Sequence, residues 1–434
     1  MGLMPLCYIG ILLTYAEPYR QPIWFVIYQC VTAGLAFALG KLWKDKGFWF
    51  FAAFLLLLGI RTWVKAPGAL FYLPVSESMV TGVWVATACY GLGRIADEKQ
   101  IKTLLRIMAA VWTTWVVVYS LIGIYSAWNE IRVYNLVHAG YWDLYAKRLR
   151  LIVTVNAGAA VVSFSALVAT FAGLSAKKTI VRILYFLSLI PILLALCLTD
   201  ARTSQITFAL GVSGAVYLNY LRGRIGNEES RTRKWLGQIG AILITGILFI
   251  GILFVLTKVI SVYNHFKVQG SILISSAYAE ESGKTVTQIL NRGFSLGGLL
   301  SGRDEIWKCV IRYMNQNKRV WLFGESLYLP MTGPNQLIGY PMAHCHNTII
   351  QILLVSGIPG LLLIIGFLAC VGKQMIRKLR DNRKQSFIVF ICMIILALLP
   401  GEIVECFLTF ESGNMPMLPA VFISMGIISS KVER

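Results

Sequence analysis

Four consecutive residues in the last quarter of the chain combine types that move protons and hold helix ends. They are His344, Cys345, His346 and Asn347, in the run HCHNTIIQILLVSGIPG. Two histidines two positions apart point the same way on an extended backbone. A neutral imidazole can take a proton near neutral pH. Three chemistries fit the pair. It is an interfacial pair satisfying loop carbonyls, a metal site needing a third ligand that no carboxylate supplies at ligand spacing, or a general base whose loop is held by the Asn347 amide. An apolar helix follows. Gly357 lies ten residues after Asn347 and Gly360 three further on, where missing side chains permit close helix contact. The two glycines position the helix rather than react.

Arg202, in LCLTDARTSQI, stands at the outer end of an apolar segment, where a charge is costly and points to function unless Asp200 pairs with it. Arg303, in SLGGLLSGRDEIW, follows a turn rich in glycine and serine and opens a helix, where it is either a solvated or capping charge or an anion ligand. A guanidinium stays charged and grips phosphate oxygens with two parallel bonds, so two arginines beside a histidine suit an anionic leaving group. Glu402, Glu405 and Glu411 are further possible bases near the last helices. The chain has no GxxxxGK[ST] loop and no DxD pair on the expected outer face. A lipid pyrophosphate, carrying its own activation, suits both the arginines and the membrane.

These residues need elements to carry them. The chain of 434 residues is 57% hydrophobic and 14% charged, with mean hydropathy +0.68, which excludes an ordinary soluble globule. Runs long enough to cross a bilayer as helices predict an all-α membrane protein with about twelve spans. They fall at 2–16, 22–40, 47–64, 78–93, 103–125, 151–174, 180–198, 203–220, 236–263, 347–372, 386–400 and 414–430. The first is read as retained rather than as a cleaved leader. The formal net charge is +20. With both termini in the cytoplasm, the inner loops and tail hold 23 basic residues against 7 acidic ones, and the remainder holds 17 against 13. That asymmetry is an orientation signal, with anionic lipid as a secondary contact, and nucleic acid is not needed to explain the charge.

Residues 1–263 then form nine transmembrane helices, 264–346 one large outer-face loop, and 347–434 three further helices of a single membrane domain. A loop that long is expected to be functional. Within it, Ile306, Val310, Ile311 and Met314 fall at helical spacing and predict an amphipathic helix over 303–314 lying at the interface. Residues 126–150 form a second outer loop whose Trp and Tyr side chains read as interfacial anchors. Nine scattered cysteines include no CxxC pair; Cys309 and Cys345 share the large loop, and spacing leaves their pairing open.

The chain resembles the O-antigen ligase and polymerase superfamily, which attaches or extends bacterial surface polysaccharides. HNTIIQILLVSGIPG is similar to its pattern of His, Asn/Ser/Gln, nine residues, Gly, two residues and Gly/Thr/Tyr. TDARTSQI and SGRDEIW resemble its two arginine segments, and His344 also has counterparts there. The likeness spans about residues 200 to 372; the N-terminal half is similar in hydropathy alone. The resemblance implies a GT-C-like glycosyltransferase built largely of membrane helices. It would sit in the bacterial inner membrane with its active site facing the periplasm, and would need neither metal nor cofactor. It implies an undecaprenyl-pyrophosphate-linked glycan as donor, with lipid A core or another lipid-linked glycan as acceptor. By the same analogy His346 takes the acceptor proton, Arg202 and Arg303 hold the pyrophosphate, and His344, Asn347, Gly357 and Gly360 support the site. Ligase and polymerase differ in their acceptor. A flippase for lipid-linked glycans is the rival of another class, but repeated halves and polar breaks at mid-membrane are not evident.

Overall fold

The computed structural model describes residues 23–67, 82–95, 98–129, 141–143, 148–150, 155–199, 201–224, 231–270, 303–328, 330–339, 342, 344–381 and 418–430, with isolated positions between 388 and 396. Among these residues the chain is helical apart from one hairpin. The N-terminal helices are α1 (Ile23–Leu39), α2 (Lys46–Lys65), α3 (Tyr90–Ile95) and α4 (Glu98–Asn129); a 3-10 turn, Leu42–Lys44, precedes α2, and a π-helical turn, Val85–Cys89, precedes α3. Strands β1 (Tyr141–Asp143) and β2 (Arg148–Arg150) follow, then α5 (Val155–Ser175), α6 (Thr179–Leu198), α7 (Arg202–Arg224) and α8 (Arg231–Gly270). The last helices are α9 (Arg303–Gln316), α10 (Arg319–Phe323), α11 (Thr332–Ile338), α12 (Thr348–Asp381) and α13 (Leu418–Ser429).

Among the described residues six stretches are long and apolar enough to cross a membrane: Lys46–Lys65, Ala109–Ser126, Gly158–Ser175, Thr179–Leu198, Gly237–Leu256 and Thr348–Leu379. Ile27–Leu39 is apolar but shorter. The expected segments at 78–93, 203–220 and 414–430 contain helices outside those six. The segment 2–16 lies outside the described residues, as does most of 386–400. Two departures have local causes. The stretch expected to be loop from 264 begins as helix, because SVYNHFKVQ has no glycine or proline to stop α8 before Gly270. In the stretch expected to be a second outer loop Tyr141 pairs with Arg150 and Trp142 with Leu149 in antiparallel register, as suits the strand preference of aromatic side chains.

The described chain divides into two compact units. One holds Met1–Val111, Leu218–Glu228 and Glu305–Arg434; the other holds Trp112–Tyr217 and Glu229–Asp304. In the first, α2 and α12 run antiparallel. A side chain at Gly47 would meet Cys370, one at Gly366 would meet Phe50, and one at Gly360 would approach Phe54. At the Gly47 end a polar knot ties four segments. Asp45 caps α2 by accepting from Gly47 N (2.8 Å), a contact worth about 1 kcal/mol. Its carboxylate also pairs with Arg94 and accepts from the Tyr90 hydroxyl (2.8 Å). Arg94 donates to the Gly40 and Ser429 carbonyls, and buried Lys378 donates to the Ile427 carbonyl and the Ser430 hydroxyl. The other end carries the histidines. In the second unit α5 and α6 form a helical hairpin, and the Ser163 hydroxyl on α5 donates to the Ser204 carbonyl on α7 (2.8 Å). The inward face of α7 mixes polar Ser204, Gln205, Thr207 and Ser213 with apolar Phe208, Ala209 and Ala215, all buried.

Candidate functional site

Helix α12 begins at Thr348, and Asn347 is its cap: the Asn347 Oδ1 accepts from Ile350 N (3.0 Å). One of the helix's orphan amides is thereby satisfied. Immediately before the cap His346 has φ +52°, a left-handed conformation that costs a residue with a side chain about 1–2 kcal/mol. Its neighbour Cys345 shows how that conformation is held. The Cys345 N–H donates to Gln351 Oε1 (2.9 Å), its carbonyl accepts from Trp307 Nε1 (3.0 Å), and its buried thiol meets the Met331 sulfur at 3.6 Å. The residue before the histidine is therefore fixed on three sides.

His346 N–H in turn donates to His344 Nδ1 (3.2 Å), and the two rings lie 4.0 Å apart between centroids. That bond makes His344 Nδ1 an acceptor inside the loop, so this nitrogen is not offered to a ligand. His346 is half-buried. Among the described residues no three His, Cys, Asp or Glu side chains gather as a metal-ligand set. Cys309 and Cys345 are both free thiols.

Below the histidines α12 is broken. Gly357 has φ +67° and ψ −170° inside the helix, and a side chain there would strike the Leu322 carbonyl and Phe323 amide at 2.7–2.8 Å. The glycine thus acts through its backbone conformation as well as through close approach. Gly360 leaves room for the Ser356 side chain. The strap of chain after α10 fills the notch: Glu325 N donates to the Leu354 carbonyl (2.6 Å), and Gly324, φ +69°, lies against Val355 and Ser356 too closely to admit a side chain. Helix α2 pins the strap through Arg61 Nη2 to the Gly324 carbonyl (2.8 Å), Leu327 N to Thr62 Oγ1 (3.2 Å), and a Lys65–Glu325 ion pair (2.8 Å). Tyr313 on α9 donates its hydroxyl to Glu325 (2.6 Å). Burial, then the bond and charge of Glu325, push the Tyr313 pKa well above its ordinary value.

Helix α9 is the amphipathic element expected over 303–314. Ile306, Val310 and Met314 join Val320, Met331, Cys345 and Leu354 in one buried cluster, while Ile311 turns outward. The cluster ties α9, α10, the histidine loop and α12 together, so apolar packing sets where the histidines stand.

The first unit brings His344, His346, Asn347, Gly357 and Gly360 onto one loop and the helix it caps. Arg202 opens α7 and Arg303 opens α9; both are half-buried and both belong to the second unit. Asp200, Glu402, Glu405 and Glu411 lie outside the described residues. Gln351, Trp307 and Arg61 were not expected from the sequence. A weak signal existed for Gln351, an amide one turn below the cap on the face that looks back at the loop. Trp307 read as one more interfacial aromatic.

No curated protein matches the chain significantly. The O-antigen ligase family model matches residues 186–365, a stretch that includes Arg202, Arg303, the histidine loop, Gly357 and Gly360. Over residues 186–365 the chain is similar to the O-antigen ligase family.

Proposed function

We propose that this protein transfers a glycan from undecaprenyl pyrophosphate to a sugar hydroxyl, without a metal, as an O-antigen ligase acting on lipid A core. The observation that carries the reading is the His346 loop: an imidazole held in a strained, fixed conformation at a helix mouth, within the stretch that matches the family. Such strain concentrates where position matters to chemistry.

In this reading His346 accepts the proton of the acceptor hydroxyl as that oxygen attacks the sugar C1. The C1–O bond to the pyrophosphate breaks with its electron pair, and the configuration at C1 inverts. Arg202 and Arg303 stabilise the leaving pyrophosphate, whose charge grows in the transition state. The proton on His346 then passes to water. A pyrophosphate is already a good leaving group, so one base and an anion clamp suffice. The protein would lie in the inner membrane with both termini cytoplasmic and the histidine loop facing outward, on about twelve spans in a GT-C-like arrangement.

The test is transfer by the purified protein and its His346→Ala variant from a lipid-pyrophosphate glycan, with and without lipid A core. Glycan on the core that depends on His346 supports the ligase. Longer lipid-linked chains made without the core mark a polymerase instead. Glycan-lipid flux that survives loss of His346, with no transfer product, overturns the enzyme reading in favour of a transporter.

A further inference from the structure

The mechanism above leaves unused a cation that shares a unit with His346. Arg61 lies on the membrane-spanning helix α2, one turn before Lys65. The antiparallel match of Gly47 with Cys370 and of Phe54 with Gly360 carries Arg61 and Lys65 to the first turns of α12, the end that bears the histidines. Asn347 and Leu354 are roughly 10 Å apart along that helix at 1.5 Å per residue. Glu325, paired with Lys65, bonds the Leu354 backbone, and Gly324, bonded to Arg61, lies against Val355 and Ser356, so the partners of both cations sit at the Leu354 end of that interval.

Their charges do not balance. Two cations four residues apart on one helix repel. One carboxylate, Glu325, serves them, and it pairs with Lys65 while also accepting from Tyr313. Arg61 has no carboxylate partner among the described residues. Its guanidinium has the Gly324 carbonyl at 2.8 Å and the Phe323 ring at 5.7 Å, and its buried Nε has no hydrogen-bond partner. Around it Ile60, Trp63 and Val64 face outward as a lipid-contacting surface would. An arginine at the edge of hydrocarbon is expensive, and a carbonyl with an aromatic ring offsets part of that cost. An oxyanion would complete the compensation. The guanidinium fork matches a phosphoryl group, and Lys65 adds a second positive charge to the field.

We propose that Arg61, assisted by Lys65, binds a phosphoryl group carried on a lipid, beside the end of α12 that holds His346. This rests on the reading of the loop as the transfer site. Two sources share the chemistry: the pyrophosphate of the polyprenyl donor and the headgroup of an anionic phospholipid. Gly324 supplies the carbonyl from a positive-φ position packed too closely against Val355 and Ser356 to admit a side chain.

The experiment is native mass spectrometry of the full-length protein in detergent, titrated in parallel with undecaprenyl pyrophosphate and with phosphatidylglycerol. Arg61→Gln should weaken undecaprenyl pyrophosphate about tenfold or more, and Arg61→Lys should restore less than half of that loss, because an ammonium lacks the fork. Weakening confined to phosphatidylglycerol assigns the site to a headgroup and removes the donor from it. Unchanged affinity for both lipids overturns the proposal and leaves Arg61 as a brace for the strap. If Arg61→Gln does not fold, Arg61→Lys decides, since it keeps the charge and a donor for Gly324; wild-type affinities there are equally fatal. Binding needs no turnover, so this result stands apart from the activity of His346→Ala.

Discussion

Replacing Gln351 with methionine should slow transfer without weakening either substrate. The change keeps the side chain's length and removes the acceptor of the Cys345 N–H, a 2.9 Å bond in a buried place. An orphaned buried amide costs about 1–3 kcal/mol. The bond also opposes the left-handed strain at His346, itself about 1–2 kcal/mol. The variant loop therefore gains alternatives in which Cys345 turns its amide elsewhere and His346 relaxes. At about 1.4 kcal/mol per tenfold, the reactive geometry becomes roughly 10- to 100-fold rarer, and kcat falls by that factor. KM for donor and acceptor should hold, because Gln351 touches neither in the proposed mechanism. Gln351→Glu retains an acceptor oxygen and should recover most of the rate. The assay is steady-state transfer from a lipid-pyrophosphate glycan, varying each substrate in turn. A wild-type kcat in Gln351→Met, or a loss that appears wholly in KM, refutes the clamp.

His346→Ala should abolish transfer at unchanged expression, measured as product per milligram of purified protein; full activity in that variant would falsify the base assignment. Arg202→Ala and Arg303→Ala should raise the donor KM, with lysine a poor substitute at either position, as donor titrations would read. Gly357→Ala forces a side chain into the Leu322–Phe323 backbone at a positive φ. It should cost about 1–3 kcal/mol, seen as a lower melting temperature, and wild-type melting would remove the notch from the argument. Tyr313 has its folded pKa raised, so its stabilising contribution is complete below about pH 10 and is lost as pH climbs through the folded value. Thermal melts should fall above about pH 10, and Tyr313→Phe should flatten that alkaline fall.

The parts of the site that a reader of the sequence can find are those encoded within one turn of the residue concerned. Asn347 as a cap follows from its place before an apolar run, and α9 from Ile306, Val310 and Met314 at intervals of four. Ile311 was expected on the same face, but an odd position on the flank of a short stripe is decided by what lies beside it. The spacing of Gly357 was legible and its conformation was not, because the break is completed by Leu322, Phe323 and Glu325, some thirty residues earlier. Arg61 and Gly324 are separated by 263 positions, and nothing local to RTWVK announces their bond. Hydropathy found the helices well where lipid is their solvent. It says less of α7, whose buried side includes serine, threonine and glutamine among its apolar residues.

Arg94 and Lys378 sit in the basic stretches that the sequence reading counts as an orientation signal, yet in the folded protein both are engaged by other segments. Arg94 is taken by Asp45 and two carbonyls, and Lys378 is sealed against the end of α13. On that reading charge would orient the segments as they enter the bilayer, before these partners meet. The same charges would then act at two moments in the life of the protein, first as a sorting signal on a nascent chain and later as mortar between finished helices. A census of charge on the mature molecule would miss the first role, and one taken on the sequence alone misses the second.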